Sequence, residues 1–270
     1  MISHIFIYPI KSLGAISLQK AVLEKEGLYG DRRFMLVDAR GKFITQRTRP
    51  ELTRFVLSES AHGFIVNDSA TKLEKELNWS PPLGDNRTVE IWEDKLWARE
   101  VLDGWSSWFS EALQEEVYLV QITDENPREM KGKYQTSLAK NTSFADSLPL
   151  LVVGSASFKV LEDRLGESID PLRFRPNIIV STKEPFVEDT WAEIKVGLAL
   201  LSGAKPCARC PLVNVDPYSG ESTKNTLKTL ATFRTLNHKV YFGQQFVPIS
   251  LGEIQLGMEV QVLQSKDAVY

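Results

Sequence analysis

Ile2-Ser3-His4-Ile5-Phe6-Ile7-Tyr8, Ile16-Ser17-Leu18-Gln19-Lys20-Ala21-Val22-Leu23 and Arg33-Phe34-Met35-Leu36-Val37 decide the fold. Each segment is short and rich in β-branched or aromatic residues. Turn formers separate them: Gly27, Gly30 and Ala39-Arg40-Gly41. Residues 16–23 alternate, with Ile16, Leu18, Lys20 and Val22 on one side. Residues 42–46, 64–66, 89–92 and 96–99 continue the series, and residues 80–86 read as a turn. Strands at roughly 8–12-residue spacing predict a sheet or barrel rather than alternating β–α–β units.

Outward from this region the pattern changes. Residues 103–115 are predicted as the first helix, because Trp105, Trp108, Phe109, Ala112 and Leu113 share one apolar face. Rings at helical spacing are read as core packing, not as a cofactor box. The polar segment 123–144 is long for a structureless loop and is a candidate for a mobile, functional one. Residues 150–153 read as a buried strand. Ser155 is predicted to cap a helix carrying Phe158, Leu161 and Leu165 and stopped at Gly166. Residues 178–180, 194–201, 240–242, 247–250 and 258–263 read as further strands. The domain boundary is expected near residues 100–120.

Composition excludes several classes. The chain has 270 residues, enough for one large domain or two modest ones. Its 32 Lys+Arg and 35 Asp+Glu balance to −3, unlike a strongly basic nucleic-acid binder or an acidic tail. Hydrophobic content of 43% is globular. No apolar run approaches the ~20 residues of a membrane helix. The N-terminus lacks a basic n-region and a cleavage signature, so a cytoplasmic protein is expected. Two cysteines exclude both a disulfide scaffold and a four-cysteine iron–sulfur cluster. None of the 16 glycines forms G-x-G-x-x-G, a P-loop or a G-x-S-x-G elbow, and His4, His62 and His238 have no zinc-ligand spacing.

Both cysteines fall in Lys205-Pro206-Cys207-Ala208-Arg209-Cys210-Pro211. Thiolates attack electrophiles and bind metals, and Lys205 and Arg209 favour that form by charge. Four readings stay open on these residues alone. A thioredoxin-like pair needs its first cysteine at a helix N-terminus, whereas residues 212–215 read as strand and Asp216-Pro217 as a turn. A structural zinc site needs four ligands, and no second pair exists. The others are two buried small residues, and one thiolate that binds a soft metal centre or carries a persulfide. Nearby, Arg175 precedes Pro176, so an extended backbone is predicted. Arg173 and Arg175 would then share one side and suit a phosphate or carboxylate. The plainer alternative is a solvated surface pair. Lys11-Ser12 follows the first strand, and Asp31-Arg32-Arg33 opens another.

These pieces occur in a set order: Tyr8-Pro9-Ile10-Lys11-Ser12, Gly30-Asp31-Arg32-Arg33-Phe34, Phe144-Ala145-Asp146, Arg173-Phe174-Arg175-Pro176-Asn177, Pro206-Cys207-Ala208-Arg209-Cys210 and Val215-Asp216-Pro217-Tyr218-Ser219-Gly220. Together they resemble the MOSC-domain proteins with an N-terminal MOSC-type β-barrel domain. That family includes the mitochondrial amidoxime-reducing component, the C-terminal domain of eukaryotic molybdenum cofactor sulfurase and bacterial reductases of N-hydroxylated bases. The resemblance implies a mainly β (α+β) fold. An N-terminal β-rich, barrel-like domain over 1–115 would precede a MOSC β-barrel with flanking helices over 116–270.

The resemblance also implies roles by matched position. Cys210, and not Cys207, would be the molybdenum ligand, a soft thiolate on a soft metal. Lys11, Ser12, Arg32 and Arg175 match positions that hold the phosphate and pterin of molybdopterin. Asp146, Ser147, Ala208 and Gln245 match further cofactor contacts. Asp216, or a cofactor-bound water, is the candidate proton source. The implied activity is reduction of N-hydroxylated small molecules, amidoximes or N-hydroxylated bases, on the molybdenum cofactor, with no flavin or iron–sulfur cluster in this chain. Electrons would come from an external ferredoxin-type protein or flavin reductase, and neither nucleic acid nor membrane is an expected partner. The alternative is a molybdenum cofactor carrier, or a sulfur carrier through a Cys210 persulfide. A third is a binding module that uses 123–144 as an interface.

Overall fold

The strand Ile2–Ile7 is paired on both edges, antiparallel to Ile16–Leu18 and to Ile178–Val180. Beyond it the same sheet runs through Leu150–Gly154, Lys239–Ser250, Ala199–Ala208, Trp191–Val196 and Gln261–Ser265. These relations come from a computed structural model, which describes residues 1–269. The protein is mainly β, with 43% of residues in strands and 17% helical, as expected. Every residue of Leu150–Gly154 is buried, the continuous apolar run that a centrally placed strand needs. This strand runs parallel to Ile178–Val180, and a helix, Ser155–Leu165, lies between them in sequence.

Other sheets bind the two ends of the chain together. Phe34–Asp38, Val117–Gln121, Asp94–Val101 and Leu83–Ile91 form a four-stranded antiparallel sheet. Gly252–Gln255 pairs with Lys20–Glu24. Hydrogen-bonded ladders therefore cross residues 115 and 116. The Trp-rich helix Trp105–Leu113 is core, as its spacing predicts: Trp105 and Phe109 are buried, and the Phe109 ring lies 5.1 Å from Phe55 and 4.9 Å from Trp108.

Several local expectations give way to turn chemistry. Residues 42–46 make only isolated bridges, because Thr45 turns the chain by accepting from the backbone N–H groups of Thr48 and Arg49. The strand Leu83–Ile91 starts inside the predicted turn 80–86, and the strands Phe55–Glu59 and Glu74–Asn78 carry too little alternation to be noticed. Gly197, at φ 57°, splits 194–201 into two antiparallel strands. Gly154, not Ser155, is the helix N-cap. The last strand is Gln261–Ser265, on exposed ground. Pro211 starts a 3-10 helix over Pro211–Asn214 where 212–215 read as strand. A short helix, Asn225–Ala231, follows it. Segment 123–144 is pinned: buried Arg128 reaches Asp94 (2.7 Å) and the carbonyl oxygen of Ser143 (3.3 Å). No helix among the described residues is long and apolar enough to cross a membrane.

Asn177 locks three of these elements together. Its Oδ1 accepts from the Leu151 N–H (3.1 Å) and from Arg32 Nη1 (3.2 Å), and its Nδ2 donates to the Phe6 carbonyl (3.2 Å). The side chain is buried, so each partner would lose its bond without regaining water. Asn177→Leu should lower stability by about 3 kcal/mol. In a thermal melt followed by circular dichroism, that is a midpoint drop of about 6–12 °C. A change within about 2 °C would mean that these bonds contribute little.

Candidate functional site

Strand ends and tight bends from both halves of the chain surround a cleft of about 490 Å³, in the size range of small-molecule and cofactor sites. Four of the residues lining it have left-handed backbones: Ser12 (φ 67°), Arg32 (φ 53°), Trp92 (φ 57°) and Arg175 (φ 54°). Such a conformation costs a non-glycine residue about 1–2 kcal/mol and persists where surrounding structure imposes it. For Arg32 the imposing bond is its N–H to the Tyr8 carbonyl (3.0 Å). For Arg175 it is the close of the 3-10 helix Pro171–Phe174, through its N–H to the Leu172 carbonyl (3.0 Å). The extended backbone predicted for Arg173 and Arg175 is thus absent. Arg173 turns to Asp216 (2.7 Å), and only Arg175 faces the cleft.

Two guanidinium groups stand over one buried ring. The Arg32 and Arg175 Cζ atoms lie 4.5 and 4.1 Å from the Tyr8 centroid. Arg32 is neutralised by buried Asp31, and Asp31 also accepts from the Tyr8 N–H (2.8 Å). Arg175 has no carboxylate partner among the described residues. Its Nη1 donates to the Leu13 carbonyl (2.8 Å), while its buried Nη2 has no partner. Burial, with neighbouring Arg32 adding to it, lowers its pKa to about 10. Lys11 Nζ donates to the Phe144 carbonyl (2.8 Å) and pairs with Asp146. Burial lowers the Lys11 pKa to about 8 even though Asp146 pulls it up. Desolvation would raise the Asp146 carboxyl, but Lys11, with Arg47 and Arg32 behind it, holds it well below the usual carboxylate range.

The strand Ala199–Ala208 carries the thiol end into the same cleft. Cys207 and Cys210 are free and half-buried. Arg209 Nη1 donates to Cys207 Sγ (3.1 Å) and its Nη2 to the Phe174 carbonyl (2.8 Å), so this cation accompanies the first thiol. Lys205 Nζ donates to Ser147 Oγ (2.7 Å), and Gln245 stands opposite Lys205 in the neighbouring strand. Among the described residues no group of three or more His, Cys, Asp or Glu side chains is placed to hold a metal ion. Seven cationic side chains line the cleft against one carboxylate, in a chain of net charge −3. The site is therefore built for an anion.

Nine of the ten residues singled out from sequence line this one cleft. Lys11, Ser12, Arg32 and Arg175 are at the cationic end. Asp146, Ser147, Ala208, Cys210 and Gln245 complete its wall. Asp216 is the exception. Its carboxylate accepts from the N–H groups of Tyr218 (3.0 Å) and Ser219 (2.9 Å) and binds Arg173, outside the cleft. Partial desolvation is outweighed by those bonds, which keep its carboxyl below the usual range, so Asp216 braces a turn and does not line the cleft. Sequence reasoning passed over Arg47, Trp92 and Tyr134, which also line the cleft. For Trp92 a signal existed: it stands between the strands Leu83–Ile91 and Asp94–Val101, where Gly, Asn or Asp is usual.

The MOSC N-terminal beta barrel domain matches residues 1–116 and the MOSC domain residues 139–261. Molybdenum cofactor sulfurase of Oryza sativa subsp. japonica is 28% identical over 261 residues, 90% of this chain and 32% of that protein. The chain thus spans about a third of the length of that plant relative. Mitochondrial amidoxime-reducing component 1 is 29% identical in Danio rerio, over 100% of this chain and 84% of that protein. In Homo sapiens the figure is 26%, over 97% and 82%. A crystal structure of the YUAD protein from Bacillus subtilis aligns with a TM-score of 0.44 at 11% identity, over 96% of this chain and 92% of that one.

The Lys11 pKa of about 8 sets the pH response of the anion site. Above that value the ammonium is lost, so sulfate, whose charge is constant, should bind about fivefold or more weakly at pH 9.5 than at pH 7. Stability should move the other way. Between about 8 and 10.5 the unfolded chain holds a proton that the folded chain has released, so stability rises with pH there. Calorimetric titration of sulfate should show the slope in the wild type and a flat profile in Lys11→Met.

Proposed function

The chain belongs to the MOSC-domain proteins, and on that premise we propose that it is a molybdenum-cofactor-dependent oxidoreductase that reduces N-hydroxylated compounds such as amidoximes and N-hydroxylated bases. The observation that supports this most strongly is the meeting of Cys210 with Lys11, Arg32 and Arg175 in one cleft. The residues fit the cofactor. The cleft offers two soft sulfur donors, Cys207 and Cys210, and no group of three or more His, Cys, Asp or Glu ligands among the described residues, so a metal held there must bring most of its own ligands with it. The buried, unpartnered Nη2 of Arg175 and the surrounding cations suit a phosphate that arrives on the same molecule. The amidoxime-reducing relatives, 26–29% identical over nearly the whole chain, support the same reading.

In this proposal Cys210 contributes the thiolate ligand. Lys11, Ser12, Arg32 and Arg175 hold the phosphate and pterin. Asp146 stays ionised and fixes the Lys11 ammonium, and Ser147 fixes Lys205. Ala208 and Gln245 border the cofactor from the strand side. When bound, the cofactor supplies a redox-active metal with a position open to the substrate oxygen. Electrons from an external ferredoxin-type protein or flavin reductase, and a cytoplasmic setting, belong to the same proposal.

A second reading has support of its own: the sulfurase relatives, together with a half-buried Cys210 that is reachable from the cleft. Here Cys210 would carry a persulfide. A mass gain of about 32 Da at Cys210 after incubation with a cysteine desulfurase is its signature.

Reconstitution with the cofactor separates the two. Wild type should hold near-stoichiometric molybdenum and pterin. Outer partners of a metal ligand are each worth about 10–100-fold in affinity, so loss of the ligand itself in Cys210→Ala should cut molybdenum to about a tenth or less. Cys207→Ala should keep its metal. Equal molybdenum in Cys210→Ala and wild type would sink the assignment.

A further inference from the structure

Trp92 occupies a costly position. It is the first residue of the two-residue turn that joins Leu83–Ile91 to Asp94–Val101, with Ile91 paired to Asp94. Its φ is 57°, in the left-handed region where this turn favours glycine. The indole is 45% exposed and yet lines the cleft. Nothing in hairpin geometry asks for a large exposed ring there. Non-glycine residues in this conformation cluster at sites where function requires them.

What the indole touches points to a ligand. The Arg47 guanidinium stacks 4.1 Å from its centroid, and the Phe43 ring lies 5.2 Å away. Its Nε1 donates to Asp146 Oδ1 (3.3 Å) and so fixes the ring plane against the cleft wall. Arg47 has no carboxylate within salt-bridge distance among the described residues. It is also not among the cations assigned to the cofactor. A second cation of the same kind, Lys205, stands 4.8 Å over the Tyr134 ring on the same cleft and also lacks a carboxylate partner. With Lys11, Arg32 and Arg175 engaged by the cofactor, a cation stacked on an aromatic ring remains for the second ligand.

We propose that Trp92 and Arg47 form a substrate platform at the cleft rim that selects planar aromatic N-hydroxylated substrates bearing a negatively charged group. The substrate ring stacks beside the indole, and its anionic group takes the planar fork of Arg47. This rests on the reductase reading and narrows its substrate class. It also gives product release a direction: reduction of such an amidoxime, with two electrons from the external donor and two protons, releases water and leaves an amidine, whose added positive charge weakens the hold of this cationic rim on the product.

Calorimetry on the reconstituted protein tests it, with 4-carboxybenzamidoxime, benzamidoxime and acetamidoxime as probes. The carboxylate probe should bind the wild type about tenfold more tightly than the neutral aromatic one. Arg47→Met should erase that preference. Trp92→Gly should weaken both aromatic probes, leave acetamidoxime unmoved, and hold or raise the thermal midpoint, because the turn relaxes. Equal affinities in the wild type, or a preference that survives in Arg47→Met, would overturn the platform. So would Trp92→Gly that lowers the midpoint with affinities unchanged, since a brace behaves that way. Molybdenum content and turnover are read separately. No turnover with the anionic preference intact would remove the reductase reading and leave the platform standing.

Discussion

Arg32 and Arg175 are like charges held side by side over the buried Tyr8 ring, and much of the structure serves to keep them there. The ring supplies attraction to both, and Arg32 Nη2 donates to the Arg175 carbonyl oxygen (3.1 Å). Asp31 neutralises one of them, and Asn177 holds its guanidinium. The other is left with an unpaired donor. Burial pushes the Tyr8 phenol upward against the pull of both cations, so it remains a neutral donor to the Pro176 carbonyl (3.1 Å). Two residues in the left-handed region, a buried amide and a buried carboxylate are all spent on one preorganised anion site.

The cleft depends on that cluster because its cationic wall is hung from it. Asn177 connects the first strand to Leu150–Gly154, so the bend that bears Arg175 keeps its place relative to Lys11. The thiol wall is fixed separately, by the long ladder between Ala199–Ala208 and Lys239–Ser250 and by Arg209 reaching back to the Phe174 carbonyl. The anion pocket and the thiol wall thus sit on different strands and face one cleft.

Sequence reading recovers those elements whose chemistry is local. The Trp-rich helix, the buried run at 150–153 and the mainly β class follow from periodicity and burial alone. The anion and thiol residues were legible because residue type names their chemistry, and the family resemblance placed them together. Three kinds of feature were hidden. Arg175 reads as extended because it precedes proline, yet a 3-10 helix ending there turns its backbone left-handed. Asp216 has the residue type of a proton donor, but its oxygens are committed to a turn and to Arg173. Arg47 and Trp92 lie far apart in sequence and meet only through tertiary folding, so no spacing rule connects them.

The pairing of Ile2–Ile7 with Ile178–Val180, and of Lys20–Glu24 with Gly252–Gln255, governs how the molecule is made on the ribosome. Ile2–Ile7 finds this neighbour only after the residues up to Val180 have been synthesised. Until then the edge of this strand, with apolar Ile2, Ile5 and Ile7, stays open. Contacts of such long range make folding slow and concentrate risk in the nascent chain. The same stitching protects the finished protein. Local fraying of Ile2–Ile7 or of Gly252–Gln255 must break a ladder to the far half of the chain.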